Sequence, residues 1–468
     1  MKITFHGAAR EVTGSKHLLE LQDGTKVLLD CGLFQGNPKE ADLLNKQFGF
    51  KAEEIDYLIV SHAHIDHCGL IPRLVAQGFK GKAWCTPPTL DLAKILMLDS
   101  AHIQEQDMKY INKKNRAKGL PEFEALYTSE DVQKALTLFQ TVPYNQTVKI
   151  KDGLEFIYTD AGHIMGSAAV SLKVTEGGKD THITFSGDVG RYNDEILFPP
   201  QTFPQADYVL LESTYGDSLH QDTQLTGARL LDAITKTCLQ KKGNLIIPAF
   251  SVGRTQELIY LLNRLEVEKK LPNLDFFVDS PLSVEATAVV KAHSECFNNQ
   301  LREYMKTDPE PFNFKGLHYI TEVEDSKKLN DRKEPCVIIS ASGMADAGRV
   351  KHHIKNNISD AKNTILIVGH CEPRSLGGQL MNGAKHVTIF GEPFDVHAEV
   401  QAIKSLSSHG DYDDLIHFIS CQDVKKVKKV FLVHGDYEVQ QTFRTKLIPK
   451  GFSNVEIPAL HETVELND

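Results

Sequence analysis

Four side chains able to bind a metal ion fall within six residues: His62, His64, Asp66 and His67, in the run Ser61-His62-Ala63-His64-Ile65-Asp66-His67-Cys68-Gly69. The spacing is not the i, i+4 histidine pair of a helical metalloprotease site. On extended backbone His62 and His64 project to the same side, because alternate side chains share a face. Asp66 and His67 come where the chain turns into a helix, so one loop can offer a pair of ligands to each of two adjacent ions. Four ligands are too few for two ions. Three more candidates follow apolar runs and adjoin glycine: His163 in Asp160-Ala161-Gly162-His163, Asp188 in Ser186-Gly187-Asp188, and His434 in Val433-His434-Gly435-Asp436. Glycine at such points lets backbone and ligands approach closely. The resulting five histidines and two carboxylates make a full set for two ions. Imidazole with carboxylate suits zinc, with manganese or iron as rivals.

Strand ends must position these residues. Lys26-Val27-Leu28-Leu29-Asp30, Tyr57-Leu58-Ile59-Val60, Glu155-Phe156-Ile157-Tyr158, His182-Ile183-Thr184-Phe185 and Tyr208-Val209-Leu210-Leu211 are brief, partly β-branched runs. Each is bounded by Gly, Asp or Ser, the pattern of a strand. Helical patterns lie near residues 89–118 and 129–140. From about residue 213 the texture changes. Helix-length patterns near 222–240, 254–270 and 347–358 alternate with short buried strands, which predicts a parallel α/β unit. After about residue 395 the chain returns to a helix, the strand Val430-Phe431-Leu432-Val433 and a closing helix. The pattern predicts an α/β domain over 213–394, inserted into a larger domain built from 1–212 and 395–468.

The 468 residues are 41% apolar and 24% charged, enough for a sizeable core without disulfide staples. The eight cysteines include no Cys-x-x-Cys and read as scattered thiols of a reducing compartment. There is no long apolar run to span a membrane, and the start has no charged leader followed by an apolar core. The expected location is the cytoplasm. A net charge of −10 argues against coating nucleic acid through bulk charge. It does not exclude a nuclease, because bound metal ions and a local basic groove reverse the field at the site.

The ordered set His62, His64, Asp66, His67, His163, Asp188 and His434 resembles the signature of the metallo-β-lactamase superfamily. Further runs resemble its β-CASP group of nucleic-acid-processing enzymes. They are Phe5-His6-Gly7-Ala8-Ala9-Arg10-Glu11-Val12-Thr13-Gly14-Ser15, Leu211-Glu212-Ser213-Thr214-Tyr215-Gly216, Ile247-Pro248-Ala249-Phe250-Ser251-Val252-Gly253-Arg254-Thr255-Gln256-Glu257, Ala341-Ser342-Gly343-Met344 with Gly348-Arg349, and Leu406-Ser407-Ser408-His409-Gly410-Asp411. The resemblance implies an α/β fold: an αββα sandwich of two sheets flanked by helices, carrying an inserted α/β β-CASP domain. It maps the group's three extra motifs to Glu212, His409 and His434. Histidine at the third is similar to the RNA-processing branch, whereas the DNA-processing branch tends to have valine. The chain is thus similar to the endonuclease of messenger-RNA 3′-end cleavage and to bacterial RNase J. One run departs from the pattern: Gly369-His370-Cys371-Glu372-Pro373-Arg374 stands where the family often has Gly-Tyr-Gln.

The resemblance implies a metal-dependent ribonuclease acting on single-stranded RNA, cutting internally, with 5′-to-3′ trimming as the other mode; it also raises a homodimer. Two Zn2+ ions (Mn2+ as the alternative) are expected about 3.5–4 Å apart. His62, His64 and His163 would hold one, and Asp66, His67 and His434 the other, with Asp188 bridging. Asp66, Glu212 and His409 are the expected catalytic residues, with His409 as general acid and Glu212 fixing its tautomer. Ser251 and Arg254, at a strand-to-helix junction, are candidates for phosphate, together with Ser342, Gly343 and Ser408. Two other readings are a small-molecule ester or thioester hydrolase of the same superfamily and a non-catalytic RNA-binding scaffold. The first needs neither the insertion nor Glu212 and His409. The second usually goes with eroded ligands, and here every ligand position is filled.

Overall fold

The computed structural model describes residues 1–36, 38–220, 225–369, 371–403 and 405–466. His370, in the departing loop, and residues 221–224, at the start of the helix expected near 222–240, lie outside them. The chain forms two compact units, one of Met1–Leu219 with His409–Asp468 and one of His220–Ser408.

In the first unit, strands apolar on both faces demand a covering layer on each side. In Tyr208–Glu212, Tyr208 and Leu210 join the core between two sheets, whereas Val209 and Leu211 join an outer cluster. That outer cluster includes Leu415 and Phe418 of helix Tyr412–Ile419 and Phe443 and Leu447 of helix Tyr437–Leu447. The inner core brings Phe5, Leu19, Val27, Leu29 and Trp84 of one seven-stranded sheet against Phe156, Leu172, Phe185 and Phe431 of the other. Each fully buried Leu or Phe contributes roughly 1.5–3 kcal/mol. Helices Ile71–Ala76, Pro87–Lys118 and Ser129–Leu136 pack on one another and beside the first sheet. The layering is helix, sheet, sheet, helix.

Strand direction gathers the loops. Lys179–Phe185, Tyr208–Glu212 and Lys429–Val433 are parallel. Leu154–Asp160 is antiparallel to Ala168–Glu176, which is antiparallel to Lys179–Phe185, so its C-terminal end emerges at the same edge. The Tyr158 hydroxyl donates to the Val60 carbonyl (3.1 Å) and the Ala168 N–H to the Ser61 carbonyl (2.9 Å). These bonds bring the end of strand Tyr57–Ile59 to that edge too.

The second unit is a six-stranded parallel sheet in the order Leu317–Ile320, Asp275–Asp279, Cys336–Ser340, Leu245–Pro248, Thr364–Ile367, Glu399–Ala402. Helices such as Arg254–Val267 and Arg349–Asn357 connect its strands. The αββα sandwich with an inserted α/β domain, expected from the sequence, is the fold found. One local expectation fails. The helix expected over 129–140 ends at Leu136, and Phe139–Thr141 pairs as a strand with Ala83, Trp84 and Cys85. Phe and Thr fit a pleated surface once a neighbouring strand offers its edge. No helix among the described residues is long and apolar enough to cross a membrane.

Candidate metal centre

The loop Ser61–Cys68 is held through its backbone. N–H groups of Ser15, Leu33 and Cys31 donate to the carbonyls of Asp66 (2.8 Å), Ile65 (3.0 Å) and His67 (2.8 Å). Residue 32 must be glycine for this: a Cβ there would stand 1.6 Å from the Asp66 carbonyl oxygen. Backbone is extended at His64 and then enters the short helix Ile65–Cys68, which carries Asp66 and His67.

Three overlapping ligand groups result, one of which joins Asp188, His409 and His434. In the other two, His62, His64, His163 and Asp188 offer ligand atoms within 4.8 Å of one another, and so do Asp66, His67 and His434. His64 Nδ1 lies 3.2 Å from His62 Nε2 and 3.1 Å from His163 Nε2. Asp188 faces both groups. Its Oδ2 is 3.4 Å from His62 Nε2 and 3.5 Å from His163 Nε2, and its Oδ1 is 3.2 Å from His67 Nε2 and 3.4 Å from His434 Nδ1. Asp66 Oδ2 lies 3.4 Å from His434 Nε2.

The donor set fits cations. His163 Nδ1 is buried without a hydrogen-bond partner, and the buried His67 Nε2 and Asp188 Oδ1 face one another at 3.2 Å without forming a hydrogen bond. Such orphaned groups are costly unless something coordinates them. Burial lowers the His62 pKa to about 3 and that of His64 to about 4, and holds His163 well below its ordinary value. A ligating imidazole must be neutral. For His67 burial also opposes charge, but the Asp188 and Asp30 carboxylates facing its two nitrogens outweigh it and raise the pKa. A cation at Nε2 would take the place of that proton. Burial opposes ionisation of Asp66 and Asp188 as well, and the neighbouring histidines reverse this and hold both carboxyls low.

Supporting residues escaped the sequence reading. Asp30 Oδ2 is 2.6 Å from His67 Nδ1, and Asp30 accepts the Ser61 N–H (2.7 Å) and hydroxyl (2.8 Å). Ser61 Oγ is 3.0 Å from His62 Nδ1. Thr214 Oγ1 is 3.0 Å from His434 Nδ1 and donates to the His434 carbonyl at 3.2 Å. The signal for Asp30 was present: it ends an apolar run just as Asp160 does.

Glu212 is fully buried at the end of its strand. Its Oε1 accepts the Val189 N–H (2.7 Å) and lies 3.1 Å from His409 Nδ1, while Oε2 accepts the Thr214 N–H (3.1 Å). His409 Nδ1 is also 3.9 Å from Asp188 Oδ2. Burial works against a charged His409. The Glu212 carboxylate, by charge and hydrogen bond, outweighs it and holds the pKa up at about 9.

The expected phosphate contacts belong to the second unit. Ser251 and Arg254 follow strand Leu245–Pro248, and Ser342 and Gly343 follow the parallel strand Cys336–Ser340. Ser251 Oγ is 3.5 Å from Ser280 Oγ. Arg254 is buried, pairs with Glu257 and donates to the Ser408 hydroxyl (3.4 Å). Arg349 is tied to Asp279 Oδ1 (2.7 Å) and the Thr321 carbonyl (2.6 Å).

Three family models match along the chain: a metallo-beta-lactamase superfamily domain over residues 18–199, a Beta-Casp domain over 255–380, and a Zn-dependent metallo-hydrolase RNA specificity domain over 394–458. The chain is 33% identical to Ribonuclease TTHA0252 of Thermus thermophilus over 438 residues, 94% of each chain. It is 31% identical to an RNase J-like protein of Methanocaldococcus jannaschii over 440 residues, covering 93% of this chain and 92% of that one. It is 30% identical to Transcription termination factor FttA of Methanosarcina mazei over 448 residues, 93% of this chain and 67% of the relative. With these matches spanning nearly the whole chain and both units, the protein belongs to the metallo-β-lactamase superfamily, in its β-CASP group.

Proposed function

We propose that this chain is a metal-dependent ribonuclease that hydrolyses phosphodiester bonds of single-stranded RNA. One observation carries the reading: Asp188 faces both the His62 and the His67 ligand groups while the buried Glu212, paired with the half-buried His409, stands beside it. A small-molecule hydrolase needs the ligands but not that pair. Relatives named as a ribonuclease and as RNase J-like support RNA as substrate.

In this reading His62, His64 and His163 would hold one Zn2+, Asp66, His67 and His434 would hold a second, and Asp188 would serve both; Mn2+ is the alternative. Such ions, when bound, lower the pKa of water and offset negative charge on the phosphate. Asp30 and Ser61 orient the ligand imidazoles. Glu212 takes the Nδ1 side of His409 and leaves Nε2 to deliver a proton to the departing oxygen. Ser251, Arg254, Ser342, Gly343 and Ser408 line the path of the RNA backbone, Arg254 by holding Ser408.

The test incubates metal-loaded protein with internally labelled single-stranded RNA, beside His409→Ala and a chelator-stripped sample, and resolves products by length. Cleavage that requires both metal and His409 is the expected result, and the fragment pattern separates internal cuts from stepwise trimming. No cleavage by protein shown to carry two metals per chain would overturn the reading in favour of an ester substrate.

A further inference from the structure

Strands Leu245–Pro248 and Cys336–Ser340 run parallel, so Ala249-Phe250-Ser251 and Ala341-Ser342-Gly343 leave the second unit's sheet at the same edge. Phe250 stands there with 42% of its surface exposed, between the buried Ala249 and Ser251. One face of its ring is backed by Gly343. A Cβ at Gly343 would lie 2.6–3.0 Å from three ring carbons, so only glycine lets the ring sit there. The ring's backbone is fixed: the Phe250 carbonyl accepts both the Thr255 N–H (3.2 Å) and the Thr255 hydroxyl (2.7 Å).

Two other exposed aromatics, Tyr437 and Phe390, differ. The Arg10 guanidinium lies 4.7 Å from the Tyr437 ring centroid, and the Phe390 ring packs against His352 at 4.5 Å. No ring or cation among the described residues covers Phe250 in this way. A rigid aromatic ring with one face backed and the other open to solvent is what stacks an unpaired nucleobase.

We propose that Phe250 is a stacking platform, receiving on its open face one base of the single-stranded RNA. The inference rests on the ribonuclease reading and adds a substrate-positioning residue to it. Stacking is indifferent to base identity, because every base has a π-face, so the platform would hold the strand without selecting sequence.

The test measures kcat and KM of the full, metal-loaded chain on single-stranded RNA and on bis(4-nitrophenyl) phosphate, for wild type, Phe250→Ala, Phe250→Leu and Phe250→Trp. Binding of RNA carrying 2-aminopurine is followed by fluorescence in parallel. Leucine keeps apolar bulk but removes the π-face, so Phe250→Leu and Phe250→Ala should both raise the KM for RNA about tenfold. The ratio of RNA to small-phosphodiester kcat/KM should fall by a similar factor. Phe250→Trp should restore RNA binding and the quenching of 2-aminopurine. RNA cleavage with unchanged KM in Phe250→Leu would overturn the platform alone, as would equal losses on both substrates, which mark a structural role. Wild-type protein that neither binds nor cuts RNA, while hydrolysing the small phosphodiester, would overturn the ribonuclease reading as well.

Discussion

The Asp30 carboxylate stands 2.6 Å from Nδ1 of His67 and also accepts the hydroxyl of Ser61, whose oxygen lies 3.0 Å from Nδ1 of His62. One buried acid therefore orients a histidine in each of two ligand groups. Carboxylates behind ligating histidines fix ring orientation and raise basicity, and their loss costs about 10–100-fold in metal affinity. Asp30→Asn should lower affinity by that order, measured by competition with a chromogenic chelator, while the circular dichroism spectrum is retained. Unchanged affinity would show that the backbone bonds to the loop suffice.

His409→Ala should leave two metals per chain by elemental analysis and lower kcat on RNA by about 10²–10⁴, the usual worth of a positioned general acid. Loss of metal in this variant would make His409 a ligand instead.

The pH profile tests Glu212. Burial disfavours a protonated His409, and Glu212 outweighs this to hold the pKa at about 9. A general acid must be protonated, so turnover falls as pH rises through its pKa. Glu212→Gln removes the charge and lowers that pKa. The alkaline limb of the kcat profile should therefore move to lower pH. A limb that stays in place would assign it to another group.

Lys16 offers a test of stability away from the ligands. Its ammonium is fully buried, donates to the Gly14 (2.8 Å) and Gly32 (2.9 Å) carbonyls, and lies 4.0 Å from the Phe34 ring centroid. Burial lowers its pKa from 10.5 to about 8. Between those values the unfolded chain binds the proton and the folded chain does not, so this group's contribution to stability rises with pH. It is fully present above 10.5 and lost as pH falls through about 8. Wild type minus Lys16→Met, compared by denaturant unfolding from pH 7.5 to 10.5, should show this rise. A flat difference would mean that the lysine keeps its ordinary affinity for the proton.

Much of this protein is legible in its sequence because the relevant signals are local. His62, His64, Asp66 and His67 announce themselves by density within one loop, and an apolar run ending in Asp or His marks a strand reaching a common edge. The unbroken apolar run Tyr208–Leu211 fits a strand covered on both faces. Other features depend on what a distant segment supplies. Glu212 meets His409 across 197 residues only because the chain re-enters the first unit at His409. The carboxylates at the ends of runs Lys26–Asp30 and Glu155–Asp160 look alike in sequence. Yet Asp30 meets His67, whereas Asp160 accepts only its neighbouring Gly162 N–H (2.9 Å) among the side-chain bonds found. Arg254 reads as a free phosphate ligand until Glu257 and Ser408 are seen to engage it. Periodicity and residue type determine where strands end and which side chains could ligate. Sheet order and loop packing decide which of those side chains share a hydrogen bond, because pairing needs atoms within about 3 Å, a distance sequence spacing does not encode.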